Sequence, residues 1–495
     1  MPPRKATTTV SMTILKSIAA EMMTSKPKRI WSDYQKAIFK DIAKGQGHTV
    51  VVARAGSGKT STIVEGFKYV PRGKKVLMVA FNKSIADELK TKAPSYVDCV
   101  TLHSLGYRAI KQSFGEVPLD NKKCFNIVDS LGISDWELNV SICKAVSLCK
   151  GFLFDTPDKV EELIDRFGID TFDMERKTFV QHTLKALRMC KEYKQMVDFD
   201  DMIWFPFVYG LNVGKYDVVF IDETQDLNTA QIVMALSACK KDGRIIAVGD
   251  PRQAIYTFRG ADSNAVDNII KKLKAKTLPL SVTYRCPLKV VAMAQEIVPD
   301  LQPAPNAKPG TVEYVTVDDM MKDVKPGDFV LSRTNAPLIK YCMKLLKNGV
   351  PANIQGRDVG ANLLSFVKKS KAKSIDKFLK YVADWEKQET QRLIAEKKDT
   401  TNCIDKCECL RNLCEGILSI SDLKDSIEKL FHDVDDNKKV IFSTTHKAKG
   451  LERDRVWVIR GTYRRGLNTE EDNLWYVAIT RSKSELYLVT TPPKK

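Results

Sequence analysis

The chain has 495 residues, too many for a single hydrophobic core, so we expect about two to four domains. Hydrophobic residues make up 43% and charged residues 28%, a composition typical of a soluble globular protein. No window approaches about 18 uninterrupted apolar residues, which argues against a membrane-spanning helix. Lys and Arg (79) exceed Asp and Glu (61) by 18, and the resulting pI near 9.2 favours a polyanionic partner such as nucleic acid.

The twelve cysteines are scattered, mostly within helix-like runs, which favours a reduced intracellular protein over a disulfide framework. Their one cluster has a spacing that fits an amphipathic helix as well as a zinc site, and both interpretations stay open for Cys403, Cys407, Cys409 and Cys414. Residues 1–29 are basic and lack a secretory hydrophobic region, so we interpret them as a basic arm, with a transit peptide as the alternative. We expect no membrane partner, and a cytoplasmic location in a bacterial or phage context or a nuclear or viral one otherwise.

The first predicted strand, residues 49–52, leads into a glycine-rich loop at 53–60 and then into a helix over 61–69. The loop reads Ala-Arg-Ala-Gly-Ser-Gly-Lys-Thr, so alanine replaces the first glycine of the strict phosphate-loop pattern. Its glycines let backbone N–H groups point inward, and the helix N-terminus adds partial positive charge. We expect Lys59 to reach the β- and γ-phosphates and Thr60 to ligate Mg²⁺. A glycine loop without a ligand is the alternative.

Three more buried strands follow, at residues 74–80, 217–221 and 244–248, and their alternation with helical stretches predicts a parallel α/β sheet. Residues 113–197 are helical in pattern, which indicates an insertion between two strands of this sheet. Asp222 and Glu223 follow a strand directly, at the carboxyl edge where ligands of such sheets bind. We assign Asp222 to Mg²⁺ and Glu223 to proton abstraction from the attacking water, against the alternative of a solvated acidic turn.

Beyond the acidic pair, Gln253 is placed to position water at the γ-phosphate. A second set of strands begins near residue 277 and includes 329–331, 440–442, 456–459 and 485–489. It is interrupted by a helical stretch rich in Lys and Glu. The pattern predicts two α/β cores, each with a helical insertion: a first core at 1–112 and 198–276 with 113–197 inserted, and a second core at 277–356 and 438–495 with 357–437 inserted.

Taken in order, these segments resemble the motifs of superfamily-1 helicases of the UvrD, Rep and PcrA type over nearly the whole chain. The motifs lie at residues 31–35, 53–60, 79–83, 101–105, 197–202, 222–226, 248–260, 283–285, 444–452 and 474–481. Within that family, residues 80–86 and 256–260 are most similar to the F-box helicase-like and viral branch. The resemblance implies an α/β fold with two RecA-like, parallel-sheet P-loop domains, each carrying a helical insertion.

The resemblance also implies roles for individual residues. Gln35 would recognise the adenine, Tyr284 would stack on it and Glu452 would contact the ribose. The loop residues that would also bind the nucleotide are Ala55, Gly56, Ser57, Gly58, Lys59, Thr60 and Ser61. Arg285 and Arg481 are implied as arginine fingers, which complete a catalytic set with Glu223 and Gln253. Strand contacts are implied for Phe81, Asn82, Lys83, Thr101, His103, Tyr256, Phe258, Arg259, Thr445 and His446.

Aromatic rings can hold a single strand without regard to its sequence, because stacking on a base is worth about 1–3 kcal/mol. We favour strand contact over core packing for Phe81 and Phe258, and leave both interpretations open for Tyr256. The chain departs from the family in three places. Ser61 stands where relatives often have Arg, Phe258 stands where many have Trp, and the second insertion is much shorter than in the large bacterial enzymes.

We therefore expect an enzyme that uses ATP and Mg²⁺ to move on single-stranded DNA and to unwind tailed duplex DNA, and the resemblance implies that it moves 3′ to 5′. ATP would lie in the cleft between the two cores, which closes on binding and opens on hydrolysis. One alternative is a translocase that strips proteins from single strands without processive unwinding. Another is a non-motor nucleic-acid-binding protein. An RNA substrate is also open, because phosphate and stacking contacts carry little information on the 2′-OH.

Overall fold

The computed structural model describes residues 29–257, 260–261, 264–396, 398–431 and 437–490. The predicted basic arm, apart from its last residue, lies outside these residues, as do the candidate strand-contact residues Phe258 and Arg259. The strands, numbered in chain order, are β1 Thr49–Ala53, β2 Val76–Ala80, β3 Val97–Thr101, β4 Tyr216–Ile221, β5 Cys239–Gly249, β6 Lys276–Leu280, β7 Val282–Thr283, β8 Gln302–Pro303, β9 Thr311–Thr316, β10 Phe329–Ser332, β11 Ala352–Ile354, β12 Val440–Thr444, β13 Arg453–Ile459 and β14 Ser482–Thr490.

Helices flank the two sheets and form the two insertions. Those that accompany the first sheet are Asp33–Lys44, Lys59–Gly66, Lys83–Lys92, Leu102–Phe114, Phe199–Val208, Thr229–Ser237 and Ala265–Leu273. Those that accompany the second sheet are Leu288–Ala294, Val317–Asp323, Ala336–Lys347 and Thr469–Ile479. Short 3₁₀ helices lie at Phe67–Tyr69, Thr224–Asp226, Pro251–Gln253 and Arg460–Thr462.

Within the described residues the first sheet has six parallel strands, in the order β3-β2-β4-β5-β1-β6. Its central strands are buried on both faces, which explains why they are continuous apolar runs in the sequence. In β1, Val51 lies opposite Val248 on one side and Leu278 on the other. Because the strands run in one direction, the loops that follow β1, β2, β4 and β5 meet at one edge.

The pairing of β6 corrects the predicted domain boundary. We placed the end of the first core at residue 276, but β6 pairs along β1 from Lys276 to Leu280 and belongs to the first sheet. The strand was misassigned because it lies at the sheet edge, where Lys276, Thr277 and Pro279 are exposed. A proline is tolerated there, since the strand needs no ladder hydrogen bond on its open side.

The second sheet of the described chain is also six-stranded and parallel, in the order β11-β12-β10-β13-β14-β9. The short strands β7 and β8 pair with each other between the two sheets. The two α/β cores predicted from the sequence are thus confirmed as two parallel sheets, each interrupted by a helical insertion, which is the RecA-like arrangement. The edge strand β9 has no buried position and was not predicted.

The first insertion comprises helices Lys123–Asp129, Trp136–Phe152, Pro157–Phe167 and Arg176–Glu192. A parallel bridge between Leu119 and Val197 closes it at its base, where the chain enters and leaves. A buried ion-pair cluster joins it to the neighbouring helix Phe199–Val208, and consists of Lys123, Lys150, Asp198 and Asp201.

The second insertion comprises helices Arg357–Lys369, Ile375–Ala395, Thr401–Cys414 and Ile420–Leu430. The clustered cysteines all lie on the third of these helices, where they are buried with free thiols, and burial raises the pKa of each one. Across the described ranges, no three His, Cys, Asp or Glu side chains are grouped so as to hold a metal ion. Cys407, Cys409 and Cys414 pack in the hydrophobic core of the insertion, and Cys403 is also buried.

The two insertions contact each other through ion pairs between Lys369 and Glu137 and between Arg392 and Asp170. Among the described helices, none has both the length and the apolar character needed to cross a membrane.

Candidate nucleotide and strand site

A cavity of about 740 Å³ lies between the two sheets. The first sheet contributes the loops after β1, β2, β4 and β5, and the second core contributes the segments around Tyr284, Lys449 and Arg481. The candidate nucleotide, metal and catalytic residues that line it are Gly56, Ser57, Gly58, Lys59, Thr60, Ser61, Asp222, Glu223, Gln253, Tyr284, Arg285, Glu452 and Arg481. Residues separated by more than 400 positions in the chain therefore face one space.

The glycines of the loop after β1 are required by its shape. Gly56 and Gly58 have φ angles of 70° and 80°, a left-handed conformation that side chains disfavour. A Cβ atom on Gly56 would also lie 2.5 Å from Thr283 Oγ1 and 2.6 Å from Arg285 Cβ. The hydroxyl of Ser57 is buried and has no hydrogen-bond partner among the described residues. An unsatisfied donor in a glycine cradle before a helix N-terminus fits a phosphate ligand.

Lys59 forms an ion pair with Glu223, with 2.7 Å between Nζ and Oε2. Burial acts to lower the pKa of Lys59, but the charges of Glu223 and Asp222 outweigh it and raise that pKa. Burial likewise opposes ionisation of Glu223, yet Lys59 and Lys449 lower the pKa of this carboxyl to about 2. Glu223 is therefore a charged carboxylate, and one of its oxygens is held by a lysine.

Asp222 has the opposite electrostatic environment. Burial, followed by the charge of Glu223, raises the pKa of Asp222 to about 7. A divalent cation would relieve this repulsion, and the hydroxyl-bearing Thr60 lines the same cavity. The oxygen donors of Asp222 and Thr60 thus fit the Mg²⁺ site predicted from the sequence.

Gln253 is buried in the 3₁₀ helix after β5, and its side chain donates to Asp250 Oδ2 at 2.8 Å. The backbone N–H of Asp250 donates to Gln225, whose amide in turn donates to Glu223 at 2.5 Å. A continuous chain of hydrogen bonds therefore connects the two predicted water-handling residues, Glu223 and Gln253.

The two candidate arginine fingers enter the cavity from the second core. Arg285 pairs with Glu452, with 2.5 Å between Nε and Oε2. Arg481 is almost fully buried, and its Nη2 has no hydrogen-bond partner among the described residues. Burial, followed by the charge of Arg285, lowers the pKa of Arg481 to about 9. The wall from the second core therefore carries two guanidinium groups, an arrangement that favours an anionic ligand.

Gln35 does not line the cavity but lies directly behind the loop. Its amide donates to Thr62 at 2.9 Å, and its carbonyl oxygen accepts from the N–H of Ser32. Its Nε2 lies 3.7 Å from the position that a Cβ on Gly58 would take. Gln35 is therefore positioned beside the phosphate loop, with both functional groups engaged. Tyr284 is half exposed, and its backbone N–H donates to the carbonyl of Gly56.

Of the candidate strand-contact residues, Phe81, Tyr256 and His446 come together at the mouth of the cleft. The rings of Phe81 and Tyr256 stack with centroids 6.4 Å apart, and Phe81 is 38% exposed. The Tyr256 hydroxyl donates to the backbone carbonyl of His446 at 2.9 Å, across the cleft. Asn82 and Lys83 are exposed beside Phe81, and Asn82 caps the helix Lys83–Lys92. An aromatic surface of this kind suits unstacked bases.

Three further candidates are less accessible. Thr101 caps the helix Leu102–Phe114, and His103 is half-buried against the exposed ring of Phe199. Burial lowers the pKa of His103. Thr445 is fully buried and shares a hydrogen bond with Tyr463, so its side chain is not on the surface. The predicted strand contact of Thr445 is therefore not one that an exposed side chain makes in this structure.

Sequence models of two domains match the chain. The UvrD/REP helicase N-terminal domain matches residues 34–274, and the UvrD-like helicase C-terminal domain matches residues 361–492. The chain belongs to the UvrD-type helicases. The first match covers the first sheet through β5 together with its insertion, and the second covers the second insertion and β12 to β14.

Among individual relatives of this UvrD-type helicase is the F-box DNA helicase protein 1 of Schizosaccharomyces pombe, which is 26% identical over 90% of the chain and 56% of its own length. The F-box DNA helicase 1 of Gallus gallus is 23% identical over 93% of the chain and 49% of its own length. The ATP-dependent DNA helicase PcrA of Bacillus subtilis is 24% identical over 51% of the chain and 37% of its own length. The chain thus spans about half the length of the F-box helicases it resembles.

Sequence reasoning missed three polar residues that connect the two cores of this UvrD-type helicase. Lys449 binds both carboxylate oxygens of Asp226, at 2.7 and 2.6 Å, and lies over the Tyr256 ring. Tyr476 accepts from the N–H of Ala55 at 3.0 Å, and Arg54 forms two ion pairs. Each of the three lies inside one of the helicase motifs given above, but its place in a motif does not reveal a partner far away in the sequence.

Proposed function

We propose that this chain is an ATP-dependent DNA translocase and helicase that moves 3′ to 5′ on single-stranded DNA, driven by Mg-ATP hydrolysis between its cores. The supporting observation is the composition of the cleft. It combines a phosphate loop, an acidic pair and a buried glutamine on one wall with two arginines on the other. The names of the relatives, which include F-box DNA helicases and an ATP-dependent DNA helicase, agree with this proposal.

In this proposal, Lys59 exchanges partners when nucleotide enters. It is paired with Glu223 in the structure, and phosphate oxygens would offer it a second set of acceptors. Release of Lys59 would leave the Glu223 carboxylate free to accept a proton from the attacking water. Asp222 and Thr60 would hold Mg²⁺, which when bound supplies charge compensation at the phosphates.

Arg285 and Arg481 would stabilise negative charge that develops during phosphoryl transfer, since arginines in this role supply large rate factors. Both sit on the second core, so they reach the phosphates only when the cleft is closed. Hydrolysis and product release would remove the anion that holds the two guanidinium groups together, and the cleft would then open.

Movement along DNA would follow from the connection between the cleft and the aromatic surface. Lys449 contacts Asp226, the carbonyl of Gln253 and the Tyr256 ring. A change at the nucleotide therefore reaches the stacked pair of Phe81 and Tyr256 through a single lysine. We also propose the four-part domain division given above, with the end of the first core moved from residue 276 to 280.

The test is steady-state ATP hydrolysis with no polymer, single-stranded DNA, duplex DNA or RNA, paired with unwinding of 3′- and 5′-tailed duplexes. We expect strong stimulation by single-stranded DNA and unwinding only from a 3′ tail. Lys59→Ala should abolish turnover, while the matched variant Lys68→Ala, at an exposed lysine nearby, should not. Stimulation of ATP hydrolysis by single-stranded DNA without unwinding would support the translocase alternative. Stimulation by RNA but not by DNA would mean that the substrate is RNA.

A further inference from the structure

Arg54 is an arginine within the phosphate loop, and it is not among the residues that line the cavity. The side chain is only 13% exposed. Its Nη1 lies 3.0 Å from Asp250 Oδ1, and its Nη2 lies 2.9 Å from Asp300 Oδ1. Its Nε also donates to both oxygens of Asp300, at 3.1 and 3.0 Å. One guanidinium group therefore bridges two carboxylates.

The two carboxylates belong to different cores. Asp250 directly follows β5 of the first sheet, and its side chain is fully buried. Asp300 follows the helix Leu288–Ala294 of the second core. Its neighbours Val298 and Leu301 pack in a hydrophobic cluster that joins Phe329 and Leu331 of the second sheet to Ala55 of the phosphate loop. The bond from Arg54 to Asp300 therefore spans the cleft, whereas the bond to Asp250 stays within the first core.

Asp250 also binds residues that handle water in the proposed reaction. Its Oδ2 accepts from Gln253 at 2.8 Å, and its backbone N–H begins the chain through Gln225 to Glu223. The hydroxyl of Tyr476, on the second core, donates to the same Oδ2 at 3.4 Å. The orientation of the Asp250 carboxylate thus depends on contacts from both cores.

We propose that Arg54 is a positioning residue that couples closure of the second core to the placement of Gln253 and Glu223. When Asp300 is paired with Arg54, the guanidinium group is held in one orientation. It then orients the carboxylate of Asp250, which in turn orients Gln253. When the cleft opens, Asp300 withdraws and this constraint is lost. A planar guanidinium can serve both carboxylates at once, whereas a lysine ammonium is a point charge without that geometry. This inference rests on the proposed ATP hydrolysis in the cleft.

The decisive variant is Asp300→Asn, which weakens the bond across the cleft and leaves the buried pair of Arg54 and Asp250 in place. We expect kcat for ATP hydrolysis to fall about tenfold to a hundredfold, because a small misplacement of a reacting group has effects of that size. The dissociation constant of a fluorescent ATP analogue should change by less than about threefold, because the phosphate-contacting groups are untouched. Asp165→Asn, which breaks an exposed arginine–aspartate pair, is the matched control and should leave both values unchanged.

Arg54→Lys provides an independent arm. It should lower kcat to a similar extent, and adding Asp300→Asn to it should cause little further loss, because both changes break one connection. Wild-type kcat in Asp300→Asn, or additive losses in the double variant, would overturn the inference. The ratio of variant to wild-type kcat is measured without polymer, so it is independent of DNA stimulation. Absence of stimulation in the wild-type protein would instead contradict the proposed function.

Discussion

Replacing Lys150 by methionine tests whether the buried ion-pair cluster stabilises the first insertion. Lys150 lies in the helix Trp136–Phe152, and its side chain is 1% exposed. Its ammonium is 2.9 Å from Asp198 Oδ2 and 2.8 Å from Asp201 Oδ1. Methionine keeps much of the volume and removes the charge, so Lys123 would face two buried carboxylates alone.

The expected loss is large because breaking a buried ion pair leaves an uncompensated charge in a medium that solvates it poorly. Removal of one partner of such a pair destabilises a protein by about 3–5 kcal/mol. With typical urea dependences, the midpoint of unfolding should fall by about 1 M or more. The ring of Trp204, one of six tryptophans in the chain, lies 5.6 Å from the Lys150 ammonium, so unfolding around Lys150 should change part of the tryptophan fluorescence.

The pH dependence of stability provides a second test of the ion-pair cluster. Burial opposes the charge on Lys150, but Asp201 and Asp198 raise the pKa of Lys150 well above its ordinary value. The stabilising contribution is therefore fully present below the pKa of an unfolded lysine, about 10.4, and is lost only as pH rises through the higher folded value. The difference in unfolding midpoint between the wild type and Lys150→Met should therefore be the same at pH 7 and at pH 9.

Two results would refute this reasoning. One is an unchanged unfolding midpoint in Lys150→Met, and the other is a difference that shrinks between pH 7 and pH 9. Lys159→Met is the matched control, because Lys159 pairs with Glu162 on the surface of the same insertion. Exposed pairs contribute little, so this control should unfold like the wild type.

Three further predictions concern the cleft and its mouth. Arg481→Ala should lower kcat for ATP hydrolysis by roughly 10³–10⁵, in a stopped assay with saturating single-stranded DNA, and a loss below tenfold would remove Arg481 from the catalytic set. Gly56→Ala should weaken binding of a fluorescent ATP analogue, because its Cβ would collide with Thr283 and Arg285; Gly73→Ala, with φ +80° and open space around it, should bind normally. Phe81→Ala should weaken the affinity for single-stranded DNA by about 1–3 kcal/mol and leave ATP hydrolysis without DNA unchanged. If fluorescence anisotropy titrations show the same affinity as the wild type, Phe81 packs in the protein and does not stack on a base.

The fold could be predicted where burial makes a strand conspicuous. β1, β2, β4 and β5 lie inside a parallel sheet and contain continuous apolar runs. Their positions, and their alternation with helices, could therefore be predicted. The edge strands β6 and β9 each have three exposed positions, so neither is a continuous apolar run. Their pairing partners are set by tertiary contacts, which local sequence patterns do not contain.

The candidate site could be predicted to the extent that its residues stand in motifs. Lys59, Asp222 and Gln253 follow strands of one sheet, and the common direction of those strands predicts that they meet. The partner of Arg54 on the second core could not be predicted, because 246 positions separate it from Asp300. The burial of Thr445 against Tyr463 is likewise a property of the packed second core. The proposed role of Phe258 is unaffected, because this residue lies outside the described part of the chain.

The position of β1 in its sheet has a consequence for synthesis on the ribosome. Both neighbours of β1 are made long after it, since β5 ends at Gly249 and β6 at Leu280. At about 5–20 residues per second, the strand that carries the phosphate loop would wait on the order of tens of seconds for its partners. The helices of the first insertion have mostly local contacts, so they can fold during that interval. The edge that carries the phosphate loop is therefore among the last parts of the first core to form, although β1 precedes the other strands of that core in the chain.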